Sequence, residues 1–271
     1  MKFLSSLLLA SLFFVTSCSK KKADDLPATA SQQTAALPNK STAKRPSRPS
    51  GPVPRNPNIS LPYDISKASS VTQNSGNRSL PYIAITFDDG PHPKHTPRLL
   101  DMLKERNIKA TFYVIGSSVA RHPEIVRRIV AEGHEIGNHT WSHPNLSKMS
   151  QSDVRSQLDR CAAAIASAAG VKPRTMRPPY GALRKDQRVW IHEDWGYPTI
   201  LWDVDPEDWR RPGPSVVTSR ITNKTRNGSI VLVHDLHGQS VDAMPATLDN
   251  LLRKGFKFVT VSQLIALEGA E

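Results

Sequence analysis

The sequence predicts an α/β fold, a parallel sheet covered by helices, and three observations lead there. Beyond residue 80, short apolar runs alternate strictly with stretches of helical period. The apolar runs number seven, which suits either an open doubly wound sheet or a barrel. Polar residues able to do chemistry gather at the C-terminal ends of those runs, where both architectures place their sites. With 271 residues and 38% apolar content the chain can bury a sizeable core, which excludes wholesale disorder.

The N-terminal third reads differently. Met1-Lys2-Phe3 leads into a mostly apolar run of about a dozen residues, as a secretory signal does, and a bilayer span would need roughly 20. Val15-Thr16-Ser17-Cys18 at its end resembles the bacterial lipoprotein box, which implies cleavage before Cys18 and acylation of its thiol; an ordinary signal with an incidental cysteine is the alternative. Residues 1–17 are therefore expected to be a lipoprotein signal peptide. Residues 18–79 show no sustained apolar period and are rich in Pro, Ser and Lys, so they are expected to form a flexible tether. Residues 1–79 hold 11 Lys+Arg against 3 Asp+Glu, so most of the formal charge of +12 sits outside the folded part. A scattered basic tail fits anionic lipid or wall polymer better than nucleic acid. With Cys18 acylated, Cys161 has no disulfide partner, and its spacing from Leu158, Ile165 and Ala169 marks it as a buried small hydrophobe.

Taken in order, the expected strands cover 82–87, 110–115, 134–137, 175–177, 199–203, 229–234 and 257–260. The expected helices cover 96–106, 123–132, 152–169, 185–195, 215–225, 244–254 and 261–267. Asp88 and Asp89 then follow the first strand, His139 and His143 the third, Arg177 closes the fourth, Asp205 and Asp208 follow the fifth, and His234 closes the sixth.

His139-Thr140-Trp141-Ser142-His143 spaces two imidazoles by four, which on a helical turn puts both on one face. Two imidazoles and one carboxylate make three protein ligands and leave a divalent cation open to water. Asp88 and Asp89 would point to opposite faces inside a strand, but Gly90-Pro91 turns the chain at once and lets both approach one site. One can bind the cation while the other accepts a proton from water. Such a cation lowers the pKa of bound water toward about 7, and attack on an acyl carbon then calls for an oxyanion donor. In Arg177-Pro178-Pro179-Tyr180-Gly181 the prolines have no N–H, so Tyr180 supplies the first backbone donor. His234, on an apolar strand, suits a general acid, kept cationic by a carboxylate from the 205–209 segment.

Thr86 to Pro91, His139 to His143, Arg177 to Gly181, Asp205 to Trp209 and Leu232-Val233-His234 together resemble the five ordered motifs of the polysaccharide deacetylases, carbohydrate esterase family 4. The resemblance spans about residues 80–267. It implies a distorted (β/α)7 barrel holding one divalent metal, Zn²⁺ with Co²⁺ as the alternative, and removal of acetyl from N-acetylated sugars. By motif position it implies Asp88 as base, Asp89 as metal ligand with His139 and His143, Arg177 orienting Asp88, and the Tyr180 N–H holding the oxyanion. It likewise implies His234 as acid tuned by Asp208, and Trp209 and Leu232 as pocket walls. Asp205 receives no chemical role. A tethered, exported chain points to peptidoglycan N-acetylglucosamine as substrate, with chitooligosaccharide or xylan as alternatives, and to the cell envelope, on the outer side of the inner membrane or on the outer membrane. Three rivals stand beside this reading: a non-haem iron oxygenase built on the same two histidines and carboxylate, a non-catalytic wall-binding lipoprotein, and a metal-independent amidase.

Overall fold

A computed structural model describes residues 52–58 and 71–267, within a unit running from Ser50 to Glu271. The expected signal segment, Cys18 and most of the expected tether lie outside the described residues. The strands are β1 (Thr72–Gln73), β2 (Tyr82–Asp88), β3 (Thr111–Val114), β4 (Glu135–Asn138), β5 (Thr199–Ile200), β6 (Ile230–His234) and β7 (Lys257–Phe258). The helices are α1 (His95–Glu105), α2 (Gly116–Arg121), α3 (Pro123–Ala131), α4 (Gln151–Ala169), α5 (Lys185–Trp195), α6 (Pro214–Lys224), α7 (Gly238–Arg253) and α8 (Val261–Ala266).

All strand pairs are parallel, in the order β4-β3-β2-β6. Single bridges close the ring: Met176 joins Asn138 of β4 to Thr199 of β5, and Val204, just beyond β5, joins Val231 of β6. The expected strand at 175–177 is thus one bridging residue, because Pro173 and Pro178 flank it and cannot donate to a ladder. β7 pairs only with Tyr82 and Ile83, at the start of β2, while β3 pairs with Thr86 to Asp88 at its end. Two strands share one edge of β2, and this distorts the barrel.

Alternation along the strands sorts the two layers. Ile83, Ile85 and Phe87 of β2 join Phe112, Val114, Val231 and Val233 under Leu99, Leu100 and Leu103 of α1 and Leu248 and Leu251 of α7. Each such side chain, fully buried, contributes about 1.5–3 kcal/mol. The opposite face, Ala84 with Tyr113, Ile200 and Ile230, turns into the barrel, whose floor is plugged by Val261, Leu264 and Ile265 of α8. Thr86, Asp88, Leu232 and His234 share this inward parity. The floor is held by Glu135, which accepts from Thr111, Thr175 and both the N–H and the hydroxyl of Ser262.

The folded part begins earlier than residue 80. β1 pairs with β5, and Asn56 is buried, its side chain bonding both the C=O and the N–H of Phe258. Its main chain is tied to Arg106 and Asn107. A polar side chain clamping a strand end is invisible to a search for apolar period. α2, only six residues long, is too short to show a helical period in the sequence. α7 starts at Gly238 rather than 244, with Pro245 inside it. The buried face of Val241, Met244, Leu248 and Leu251 outweighs a proline cost of about 3 kcal/mol.

Candidate active site

The C-terminal mouth of the barrel brings together side chains from four strand ends. β2 and β6 pair in register so that Asp88 stands beside His234, and Thr86 beside Leu232 one step deeper. Asp88 continues the inward parity of its strand. Asp89, which strand geometry would send outward, has a left-handed backbone (φ 75) that turns it back to the mouth. Its N–H is held by the carbonyl of Tyr113.

His139 follows β4, and its Nδ1–H donates to the carbonyl of Arg177 at 2.7 Å, which leaves Nε2 bare and facing Asp89. His143 reaches the same point by a loop, not the expected helical turn. Thr140 (φ 69) and His143 (φ 61) are both left-handed, and Asn138 braces the loop by accepting from the Thr140 N–H and donating to Leu158 of α4. A left-handed residue cannot continue an α-helix, so the spacing of four converges here by loop curvature.

Asp89 Oδ1 lies 3.3 Å from His139 Nε2 and 3.2 Å from His143 Nε2, and one atom from each of the three residues falls within 4.8 Å of the others. Asp89 Oδ1 is buried without a satisfying hydrogen-bond donor. An orphaned carboxylate oxygen facing two ring nitrogens is the donor set a divalent cation takes. Burial works against the Asp89 charge, but the two rings outweigh it and hold its pKa at about 2. Burial likewise opposes protonation of His139, yet Asp89 and Asp88 raise its pKa, so the pocket attracts positive charge.

Asp88 and Arg177 form the second feature. Arg177 is fully buried, donates to Asp88 Oδ1 at 2.7 Å and to Thr86 Oγ1 at 2.6 Å, and donates through Nε and Nη2 to the carbonyls of Ile200 and Leu201. Its guanidinium lies 4.3 Å from the ring centre of Tyr113. Asp88 Oδ2 is left 3.9 Å from His139 Nε2.

His234 and Asp208 form the third. His234 Nδ1–H donates to Asp208 Oδ1 at 2.8 Å, while Asp208 Oδ2 accepts from the His234 N–H and from Ser240. Burial pulls the His234 pKa down, but the bond and charge of Asp208, aided by Asp88 and Asp89, carry it to about 9. Burial raises the Asp208 pKa and its bonds to His234 and Ser240 more than offset this, leaving it lowered. Asp205 shapes the turn, accepting from the Glu207 N–H.

Tyr180 is left-handed (φ 61) and exposed, its ring edge-on to His143 at 4.7 Å. Trp209 is half exposed with Arg210 stacked on it at 4.7 Å, and Leu232 is buried two residues below His234 on the same face. Sequence reasoning missed Thr86, Asn138, Ser240 and, above all, Asp235. Asp235 is fully buried, and its pKa is pushed up to about 7 by burial against the opposing Thr96 bond, with Asp89 and Asp88 adding to the rise. Its place immediately after His234 was the only available signal.

Comparison with known proteins agrees with this geometry. Residues 75–200 match the family model described as polysaccharide deacetylase. The chain is 43% identical over 182 residues to peptidoglycan-N-acetylglucosamine deacetylase PgdA of Listeria monocytogenes serotype 1/2a, covering 67% of this chain but spanning only 38% of that relative. It is 40% identical over 205 residues to a chitooligosaccharide deacetylase of Bradyrhizobium sp., covering 70% of this chain and 92% of the relative. The crystal structure of the Bc1960 peptidoglycan N-acetylglucosamine deacetylase superposes with a TM-score of 0.68 at 38% identity, covering 70% of this chain and 91% of the other. This chain belongs to the polysaccharide deacetylase family.

Proposed function

We propose that the protein is a metal-dependent hydrolase that removes acetyl from the N-acetylglucosamine of peptidoglycan. One observation carries the reading: the triad of Asp89, His139 and His143 sits beside one carboxylate locked by arginine and one imidazole locked by aspartate. Asp89, His139 and His143 would hold the ion, which we assign as Zn²⁺, with Co²⁺ as the alternative. When bound, such an ion activates water near neutral pH and polarises the acetyl carbonyl.

The chain's own residues supply the rest. Arg177 ties up Asp88 Oδ1, so Oδ2 is free to accept the proton of the attacking water. The Tyr180 N–H serves the oxyanion. His234, with Nδ1 committed to Asp208, presents protonated Nε2 to the departing amine. Trp209 and Leu232 enclose the acetyl methyl. The lipoprotein box at Cys18 and the basic Pro/Ser/Lys-rich stretch after it support an exported, membrane-tethered protein with the wall in reach.

The test is acetate release by the purified, zinc-loaded protein from sacculi, N-acetylglucosamine oligomers and xylan, with mass spectrometry of muropeptides after digestion. Deacetylated glucosamine in the muropeptides is expected. Activity confined to free oligomers favours the second reading, drawn from the Bradyrhizobium relative. Activity on xylan alone refutes both.

A further inference from the structure

Asp235 takes no part in the chemistry above, yet it is wholly buried, and among the described residues its Oδ1 has no hydrogen-bond partner. A buried carboxylate with one bare oxygen is costly and calls for an explanation. The contacts supply one, since Asp235 meets the loop that carries the Asp88-Asp89 pair at Asp88 and at Gly90, on either side of Asp89. Its N–H donates to the carbonyl of Asp88 at 3.3 Å. Its Oδ2 accepts a hydrogen bond from Thr96 Oγ1 in α1, and that hydroxyl itself accepts from the His92 N–H at 2.7 Å. The carboxylate also lies flat against Gly90. A Cβ built on Gly90 would fall 2.7 Å from Asp235 Oδ1 and nearer still to Oδ2.

Gly90 is absent from the residues of positive φ, so its backbone would admit alanine elsewhere. Space alone forbids a side chain there, and Asp235 fills that space. The residue after Asp89 is thus pressed from below by a carboxylate anchored on α1, while its carbonyl is held from the far side by the N–H of Ile115 at 2.9 Å.

We infer that Asp235, fastened by Thr96, is a positioning residue that seats Gly90 and thereby aims Asp89 at the His139–His143 pair and Asp88 at the substrate. The inference rests on the reading of Asp89 as a metal ligand, so its primary readout is metal affinity, which does not depend on what the substrate is.

The experiment compares the full-length protein with Asp235→Ala, Asp235→Asn, Thr96→Val, Gly90→Ala and the double variant Gly90→Ala/Asp235→Ala. Zn²⁺ affinity is measured by competition with a chromophoric chelator, and kcat and KM on an N-acetylglucosamine oligomer are measured alongside. Loss of an outer support weakens metal binding about 10- to 100-fold. That loss is expected for Asp235→Ala, Thr96→Val and Gly90→Ala, with the effect on turnover in kcat and KM within about twofold of wild type. Asp235→Asn preserves shape and the acceptor for Thr96, and should stay within about threefold in affinity. The double variant should bind no worse than Asp235→Ala alone, because the clash and the seat vanish together. Wild-type affinity in both Asp235→Ala and Thr96→Val overturns the inference, as does a tolerated Gly90→Ala or simple additivity in the double variant. Should Asp235→Ala not fold, Thr96→Val and Gly90→Ala decide the matter. A wild-type protein that binds Zn²⁺ tightly but releases no acetate refutes the proposed function and leaves this inference standing.

Discussion

Replacing Asp208 by asparagine isolates the electrostatic part of the design at His234. Asp208 is 1% exposed, and its two oxygens serve three donors, two of them from His234. The substitution keeps the shape, removes the charge and turns one acceptor into a donor. In the native protein the imidazole pKa stands at about 9 against an ordinary 6.5, a difference worth about 3 kcal/mol. Without Asp208 the remaining large influence is burial, which drives the value to 6.5 or below. The acid must be protonated, so the alkaline limb of the activity profile should fall from about pH 9 to about 6.5. At about pH 7.5 only about a tenth of the rings would then carry the proton, a loss of about tenfold that nearly vanishes at about pH 5.5. Stability follows the same sign. The folded-state pKa is raised, so the stabilisation is complete below 6.5 and is lost as pH rises through about 9, and the variant should be more destabilised at about pH 6 than at about pH 9.5. Acetate release across this range, with nitrogen-15 histidine spectra of the same samples, provides the assay. An alkaline limb that stays put in the variant refutes the assignment of His234 as the acid.

Three further outcomes are expected. Asp89→Ala should weaken Zn²⁺ binding by well over about tenfold; unchanged affinity in a chelator competition refutes the ligand set. Asn56→Ala strips both partners from the Phe258 backbone and should cost about 1–3 kcal/mol in denaturant unfolding, with turnover of soluble oligomers retained; equal stability would mean that residues 52–58 merely lie on the surface. Glu135→Gln removes a charged acceptor that serves four donors and should speed hydrogen exchange across α8 before it affects the mouth of the barrel. Exchange at native rates in α8 would refute its role as the floor pin.

The parallel layout and the chemistry were legible because each leaves a signal local in sequence. A run such as Ile83-Ala84-Ile85 announces a strand, and Asp88-Asp89 before Gly90-Pro91 announces a turn rich in charge. The irregular parts were hidden for the opposite reason. Met176 functions as a strand through two single bridges set by distant neighbours, and β7 borrows half an edge of β2. The His139–His143 pair is brought together by a loop and not by the expected helical turn, since the left-handed turns at Thr140 and His143 depend on Asn138 and α4. The helix expected over 244–254 begins six residues earlier, at Gly238, because tertiary burial carries it through Pro245. Asp235 and Ser240 could not be found from pattern at all, because their meaning lies in the groups packed against them.

The clamp at Asn56 also settles a matter of direction. It grips Phe258 and the end of α1, beneath the openings of β2 and β3, so the polypeptide enters through the keel of the barrel while the acidic and imidazole groups crown the opposite pole.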